Sequence, residues 1–109
     1  SPNDSLFSFT SFELDIDYEG NKDFDVEYEN DQDGMEAEIE DDIHGEKLSG
    51  DEAFEKLRPI FETLTFTKET EKEEVISEVL DAFNANNNFT KFELEVRFDD
   101  GTEKEYNKQ

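Results

Sequence analysis

Apolar and polar residues alternate over three stretches of the N-terminal half, and this alternation predicts β-strands. Apolar side chains occupy every second position in residues 12–18, 24–28 and 35–39, and the positions between them are almost all acidic. The connecting segments 19–22 and 30–34 are rich in Gly, Asn and Asp, which are typical of turns. The N-terminal half is therefore predicted to form a three-stranded antiparallel meander.

A short block of sequence occurs twice and indicates an internal repeat. Phe9-Thr10-Ser11-Phe12-Glu13-Leu14 returns as Phe89-Thr90-Lys91-Phe92-Glu93-Leu94. Each copy continues into an alternating strand, a turn and a second strand, so residues of about 9–28 and 89–106 are predicted to form equivalent hairpins. In the first copy the apolar phase shifts by one residue at Thr10-Ser11, which predicts a bulge.

Two stretches between the repeated hairpins have the period of amphipathic helices. Apolar residues fall on one helical face in 53–64 and again in 76–83. Ser49 and Thr70 each precede a glutamate by three residues, a spacing that predicts a capping box at each helix N-terminus. Pro59 predicts a kink just before it in the first helix, since proline removes a backbone hydrogen bond and clashes with the preceding turn.

The predicted element order is βββ-αα-ββ, which gives an α+β domain of two layers. Residues 6–109 would form this single domain, with a five-stranded antiparallel sheet and both helices on one face, after a disordered tail at 1–5. Because the hairpins repeat, we place the predicted strands in the order 3-2-1-4-5 about an approximate two-fold axis. The predicted core consists of Phe12, Leu14, Ile16, Phe24, Val26, Ile39, Leu57, Phe61, Ile76, Leu80, Phe83, Phe92, Leu94 and Val96.

The opposite face of the predicted sheet is acidic. It holds Glu13, Asp15, Asp17, Asp25, Glu27, Glu36, Glu38, Glu40, Glu93 and Glu95, together with Arg97. The two-fold arrangement would bring Glu13 near Arg97 and Asp15 near Glu95. A formal net charge of −23 excludes nucleic acids and anionic lipid surfaces as direct partners, because like charges repel at long range. A basic protein or peptide surface, or cations, would fit this face, which otherwise serves solubility.

One acidic segment has the spacing of a calcium-binding EF-hand loop. Glu29, Asp31, Asp33, Gly34 and Glu40 match positions one, three, five, six and twelve of that loop. The segment is flanked by predicted strands instead of helices, and its first position is Glu instead of Asp. An acidic hairpin turn is therefore the preferred interpretation, with low-affinity calcium binding or sensing through Glu29–Glu40 as the alternative.

The sequence contains no recognisable catalytic constellation. His44 follows Asp41 and Asp42 and could be imagined as a base oriented by a carboxylate, but no Ser or Cys motif marks a nucleophile beside it. The chain has no cysteine, which excludes a disulfide and a zinc-thiolate site. We therefore predict that the protein is not an enzyme, and we assign no catalytic residue, cofactor or metal ligand.

Three blocks of the sequence resemble one bacterial family. The stretches Phe12–Tyr18, Val75–Phe83 and Phe92–Gly101 are similar to the YusW-like proteins of Bacillus-type Gram-positive bacteria. This resemblance implies a small lipoprotein at the outer cell surface, with a signal peptide and a lipid-modified cysteine ahead of the domain as its only link to the membrane. It implies no activity. We thus expect a non-enzymatic extracytoplasmic interaction or accessory domain, whose partner and oligomeric state the sequence does not specify.

Overall fold

The computed structural model describes residues 6–109 and consists of one six-stranded sheet and two helices. The prediction of a disordered tail at 1–5 lies outside the described residues. In chain order the elements are β1 (Phe9–Tyr18), β2 (Lys22–Asp31), β3 (Gly34–Asp41), β4 (Glu46–Ser49), α1 (Gly50–Phe61), α2 (Lys72–Phe83), β5 (Lys91–Phe98) and β6 (Glu103–Lys108).

The sheet is antiparallel throughout, with the order β4-β3-β2-β1-β5-β6. The predicted strands four and five correspond to β5 and β6, so all four adjacent strand pairs of the predicted order 3-2-1-4-5 are present in the sheet. The α+β class is confirmed. The prediction of five strands is wrong, because residues Glu46–Ser49 form an additional edge strand, β4, beside β3. This strand has only four residues, and Leu48 is its one large apolar side chain, so it carries no alternation that a sequence pattern could show.

The first strands of the two repeated hairpins, β1 and β5, meet on the symmetry axis of the repeat. Leu14 lies directly opposite Leu94, and these two residues occupy the same position in the two copies of the repeated block. Phe12 faces Val96 and Ile16 faces Phe92 on the core side, so each aromatic ring is set against a branched aliphatic chain. The bulge expected near Thr10 is also present, between Phe9 and Ser11.

This register corrects the charge pairs that we expected across β1 and β5. Arg97 lies opposite Ser11 and not beside Glu13, whereas Glu13 faces Glu95. The predicted register was displaced by two residues, because it did not place Leu14 against its repeat equivalent. The Arg97 guanidinium instead binds Glu103 on β6, with its Nη2 atom 2.7 Å from the carboxylate.

Both helices pack on one face of the sheet and enclose the core. The fourteen residues of the predicted core all belong to this cluster or pack against its rim, and only Phe24 and Phe83 among them are partly buried. The centre is aromatic: the ring of Phe61 on α1 lies 4.9 Å from that of Phe12 and 5.0 Å from that of Phe9, centroid to centroid. Such ring pairs stabilise the core beyond the area they bury.

The predicted capping boxes are absent, although both helices begin within two residues of the predicted positions. Ser49 precedes α1 and is also the last residue of β4, and its side chain makes no capping hydrogen bond. Glu71, and not Thr70, occupies the N-cap position of α2, and its side chain makes no capping hydrogen bond. The Thr70 hydroxyl instead accepts a hydrogen bond of 2.9 Å from the backbone N–H of Thr67. Helix α1 continues past Pro59 and ends at Phe61.

Candidate functional site

The face of the sheet opposite the helices carries rows of carboxylates that cross the strands. We call this surface the acidic face. Its residues are Glu13, Asp15, Asp17, Asp23, Asp25, Glu27, Glu29, Glu36, Glu38, Glu40, Glu93, Glu95, Glu103 and Glu105. The arrangement follows from the alternation in the sequence, because residues that bury every second side chain must point the intervening ones away from the core.

Five glutamates on five adjacent strands stand in one row. The strand pairing sets Glu38 opposite Glu27, Glu27 opposite Glu13, Glu13 opposite Glu95, and Glu95 opposite Glu105. Neighbouring strands are about 4.8 Å apart, so each of the three inner carboxylates has a like charge on either side. Like charges directly opposite each other destabilise a sheet. We call this line the glutamate row.

A second row runs parallel to the glutamate row and contains two aspartates at its centre. Glu40 faces Asp25, Asp25 faces Asp15, and Asp15 faces Glu93. Lys47 on β4 ends this row on one side. The two rows line a trough of about 760 Å³ that is partly open to solvent.

Three partly buried carboxylates lie close together, and two of them, Asp15 and Asp25, line the trough. Oxygen atoms of Asp15, Asp23 and Asp25 all lie within 4.8 Å of one another. The Oδ1 atom of Asp15 is buried and accepts no hydrogen bond from any described residue. Three carboxylates offering one oxygen each supply fewer than the six to eight oxygens that Ca²⁺ takes. Within the described chain, the cluster is therefore an incomplete cage for that ion.

Burial and mutual repulsion raise the pKa values of this cluster. Burial first, and then the neighbouring Asp15 carboxylate, raise the pKa of Asp25 from 3.8 to about 7. Burial also raises the pKa of Asp15 and of Asp23, although a hydrogen bond with Asp25 partly offsets the effect on Asp15. The Asp15–Asp25 pair therefore carries one shared proton in a large fraction of molecules at neutral pH.

The segment with EF-hand spacing forms the hairpin between β2 and β3, in agreement with the preferred interpretation. Asp31 Oδ1 accepts a hydrogen bond of 2.8 Å from the Asp33 backbone N–H, which closes the turn. Glu29 lies opposite Glu36, while Glu40 lies four residues further along β3. That separation corresponds to about 13 Å, so Glu40 does not approach the turn and the candidate calcium ligands do not converge.

His44 and Asp41 are in contact, but in an arrangement that stabilises a turn. His44 Nδ1 lies 2.7 Å from Asp41 Oδ2, and the His44 ring is otherwise largely exposed. The other oxygen of Asp41 accepts hydrogen bonds from the backbone N–H groups of Ile43 and His44, at 2.9 and 3.0 Å. Burial opposes ionisation of Asp41, yet these hydrogen bonds together lower its pKa. Asp41 thus holds the turn between β3 and β4.

Replacing Asp41 with Ala is expected to lower the free energy of unfolding by about 1–3 kcal/mol, because two backbone N–H groups lose their acceptor. Urea denaturation measures this loss. Asp33→Ala is the matched control, since Asp33 is an exposed turn residue that uses its backbone N–H, and not its carboxylate, in the turn. Equal losses in the two variants would show that Asp41 does not organise its turn.

The sequence analysis missed Asp23 and the two glutamates of β6. Asp23 fell between the predicted turn at 19–22 and the predicted strand at 24–28, although it is the second residue of β2 and lies opposite Asp17. Counting outward from the turn at Gly20 pairs Asp15 with Asp25, so the sequence did contain the signal for this aspartate pair. Glu103 and Glu105 were missed because β6 has a single buried residue, Tyr106, and shows no alternation.

The family model described as "YusW-like protein" matches residues 10–100, which include both helices and every strand of the acidic face except β6. The chain belongs to the YusW-like family. This YusW-like chain is also 33% identical over 72 residues to "Uncharacterized protein YusW" of Bacillus subtilis (strain 168). The matched stretch covers 66% of the chain and 50% of that relative. No solved structure matches the YusW-like chain.

Neither helix described for this YusW-like chain has the length and apolar composition that crossing a lipid bilayer requires.

Proposed function

We propose that this YusW-like domain is a non-enzymatic interaction module whose acidic face binds a basic protein or peptide. The observation that carries the proposal is the glutamate row, in which five carboxylates stand in register on adjacent strands. Two unit charges about 5 Å apart in water repel by roughly 0.8 kcal/mol. A cationic partner would replace this repulsion with attraction, so the face is complementary to bound positive charge.

The shape of the acidic face supports binding rather than catalysis. General acid catalysis by a carboxyl group uses an enclosed apolar pocket that excludes water, whereas this trough is lined by many carboxylates and is partly open to solvent. The strong negative field would also accelerate encounter with a basic partner. An extracytoplasmic location is part of the proposal and rests on family resemblance alone.

The proposal is tested by titrating the protein with a short peptide of alternating lysine and serine, using isothermal titration calorimetry. The variant Glu13→Gln/Glu27→Gln/Glu95→Gln removes the middle of the glutamate row. At about 0.5 kcal/mol for each exposed charge pair, we expect this variant to bind the peptide roughly tenfold more weakly. Its binding should also depend less on salt concentration.

The matched control is Glu62→Gln/Glu69→Gln/Glu74→Gln, which changes the net charge equally at exposed positions in and around the helices. The proposal requires this control to bind the peptide within about twofold of the unmodified protein. Equal weakening of both variants would show that the peptide responds to net charge and does not bind the acidic face. A peptide of alternating glutamate and serine should not bind.

A further inference from the structure

The centre of the acidic face offers an unused hydrogen-bond acceptor to whatever lies in the trough. The Oδ1 atom of Asp15 is buried, lines that region and has no donor among the described residues. A buried acceptor without a donor is destabilising, and a cationic N–H group is its strongest complement. Asp15 lies on β1, one of the two central strands of the sheet.

Every strand packed around the Asp15–Asp25 pair presents a charged side chain to it. These are Asp17 on β1, Asp23 on β2, Glu40 on β3 and Glu93 on β5, with Asp42 beside Asp23. The nearest cations are Lys47, opposite Glu40, and Lys91, whose Nζ atom is 3.6 Å from Glu93. The pair is thus surrounded mainly by negative charge, which favours holding a positive charge in the trough.

On the basis of the proposed function, we infer that the basic partner is an extended lysine- or arginine-bearing segment that crosses the trough parallel to β1 and donates a hydrogen bond to Asp15. Binding of this segment displaces the proton that Asp15 and Asp25 share, and the proton passes to solvent. The outer carboxylates Glu13, Asp15 and Asp17 follow each other at every second residue of β1, about 6.7 Å apart. An extended peptide with cations at alternate positions has the same repeat.

This inference links the affinity for the peptide to pH. Because the pKa of Asp25 is about 7, the pair must release a proton before it can accept the cation at lower pH. We therefore expect the lysine–serine peptide to bind about tenfold more tightly at about pH 8 than at about pH 6. Titrations at pH 7 in buffers of different ionisation enthalpy should reveal proton release on binding.

Asp25→Asn keeps the shape of the side chain and removes the shared proton. This variant should bind the peptide with little pH dependence and without proton release. His44→Gln is the control for the one histidine in the chain and should keep the pH dependence of the unmodified protein. If the peptide binds and Asp25→Asn retains the tenfold change, the inference is overturned while the proposed function stands.

Absence of peptide binding at every pH would overturn the proposed function together with this inference. Stoichiometric binding of calcium at the trough, without binding of the peptide, would assign the face to a metal ion and likewise overturn both. The shared proton is measured separately in the free protein, from the pH dependence of the Asp25 side-chain carboxyl carbon signal in NMR. A carboxyl group already fully ionised at about pH 6 would overturn the inference by itself.

Discussion

Replacing Phe92 with Ala is expected to lower the free energy of unfolding by about 3–5 kcal/mol. The Phe92 side chain is fully buried, lies opposite Ile16 on the neighbouring strand β1 and packs against the ring of Phe89 at 5.7 Å. Its removal would leave a cavity under the helices that the surrounding β-strands cannot collapse to fill. Chemical denaturation of the purified variant measures the loss.

Phe83→Ala is the matched control and should destabilise clearly less. From the sequence alone the two residues are expected to contribute equally, but the structure places Phe83 at the rim of the core, where its ring is partly exposed. Less area is removed from water there, so less stabilisation is lost on truncation. A loss below about 1 kcal/mol for Phe92→Ala would contradict the position of β5 in the sheet.

The stability of the domain is expected to fall as the pH rises from about 4 to about 7 and then to level off. The pKa of Asp25 is about 7 in the folded protein, whereas its ordinary value, which applies to the unfolded chain, is 3.8. Between these two pH values the folded protein therefore binds more protons than the unfolded chain. Its free energy of unfolding must therefore decrease with increasing pH. Sodium chloride should raise the melting temperature at neutral pH, because it screens the repulsion among the carboxylates of the acidic face.

Asp25→Asn isolates this contribution, because an amide does not titrate. A full shift of this size would correspond to roughly 4 kcal/mol, but solvent screening at a partly exposed position reduces the expected gain to about 1–2 kcal/mol above pH 7. The difference between variant and unmodified protein should vanish toward pH 4. A constant difference across this range would show that Asp25 ionises normally in the folded state.

The arrangement of neighbouring strands was predictable because the repeated block imposes a two-fold relation. Once Leu14 and Leu94 are recognised as equivalent, the pairing of β1 with β5 follows. The charge pairs expected from the two-fold arrangement were nevertheless two residues away from the observed register, since a two-fold relation alone does not fix where its axis crosses β1 and β5. Packing of the core side chains determines the register, and exposed ion pairs contribute too little to change it.

Features encoded by few residues could not be predicted. Strand β4 exists because Glu46–Ser49 can pair with the free edge of β3, which is a property of the assembled sheet and not of those four residues. The predicted capping boxes also depend on side-chain placement, since Ser49 makes no capping hydrogen bond and the Thr70 hydroxyl accepts one from Thr67 instead. The acidic character of the outer face was evident from the alternation, whereas the Asp15–Asp23–Asp25 cluster required the register of the first hairpin.

The central claim is that the acidic face is the binding surface of this YusW-like domain. NMR titration of the isotope-labelled protein with the alternating lysine–serine peptide tests it most directly. The account predicts that the largest backbone shift changes fall at Glu13, Asp15, Glu27 and Glu95, with the helices α1 and α2 nearly unchanged. Shift changes spread evenly over the acidic residues of the helices and the sheet, or concentrated on the helices, would contradict it.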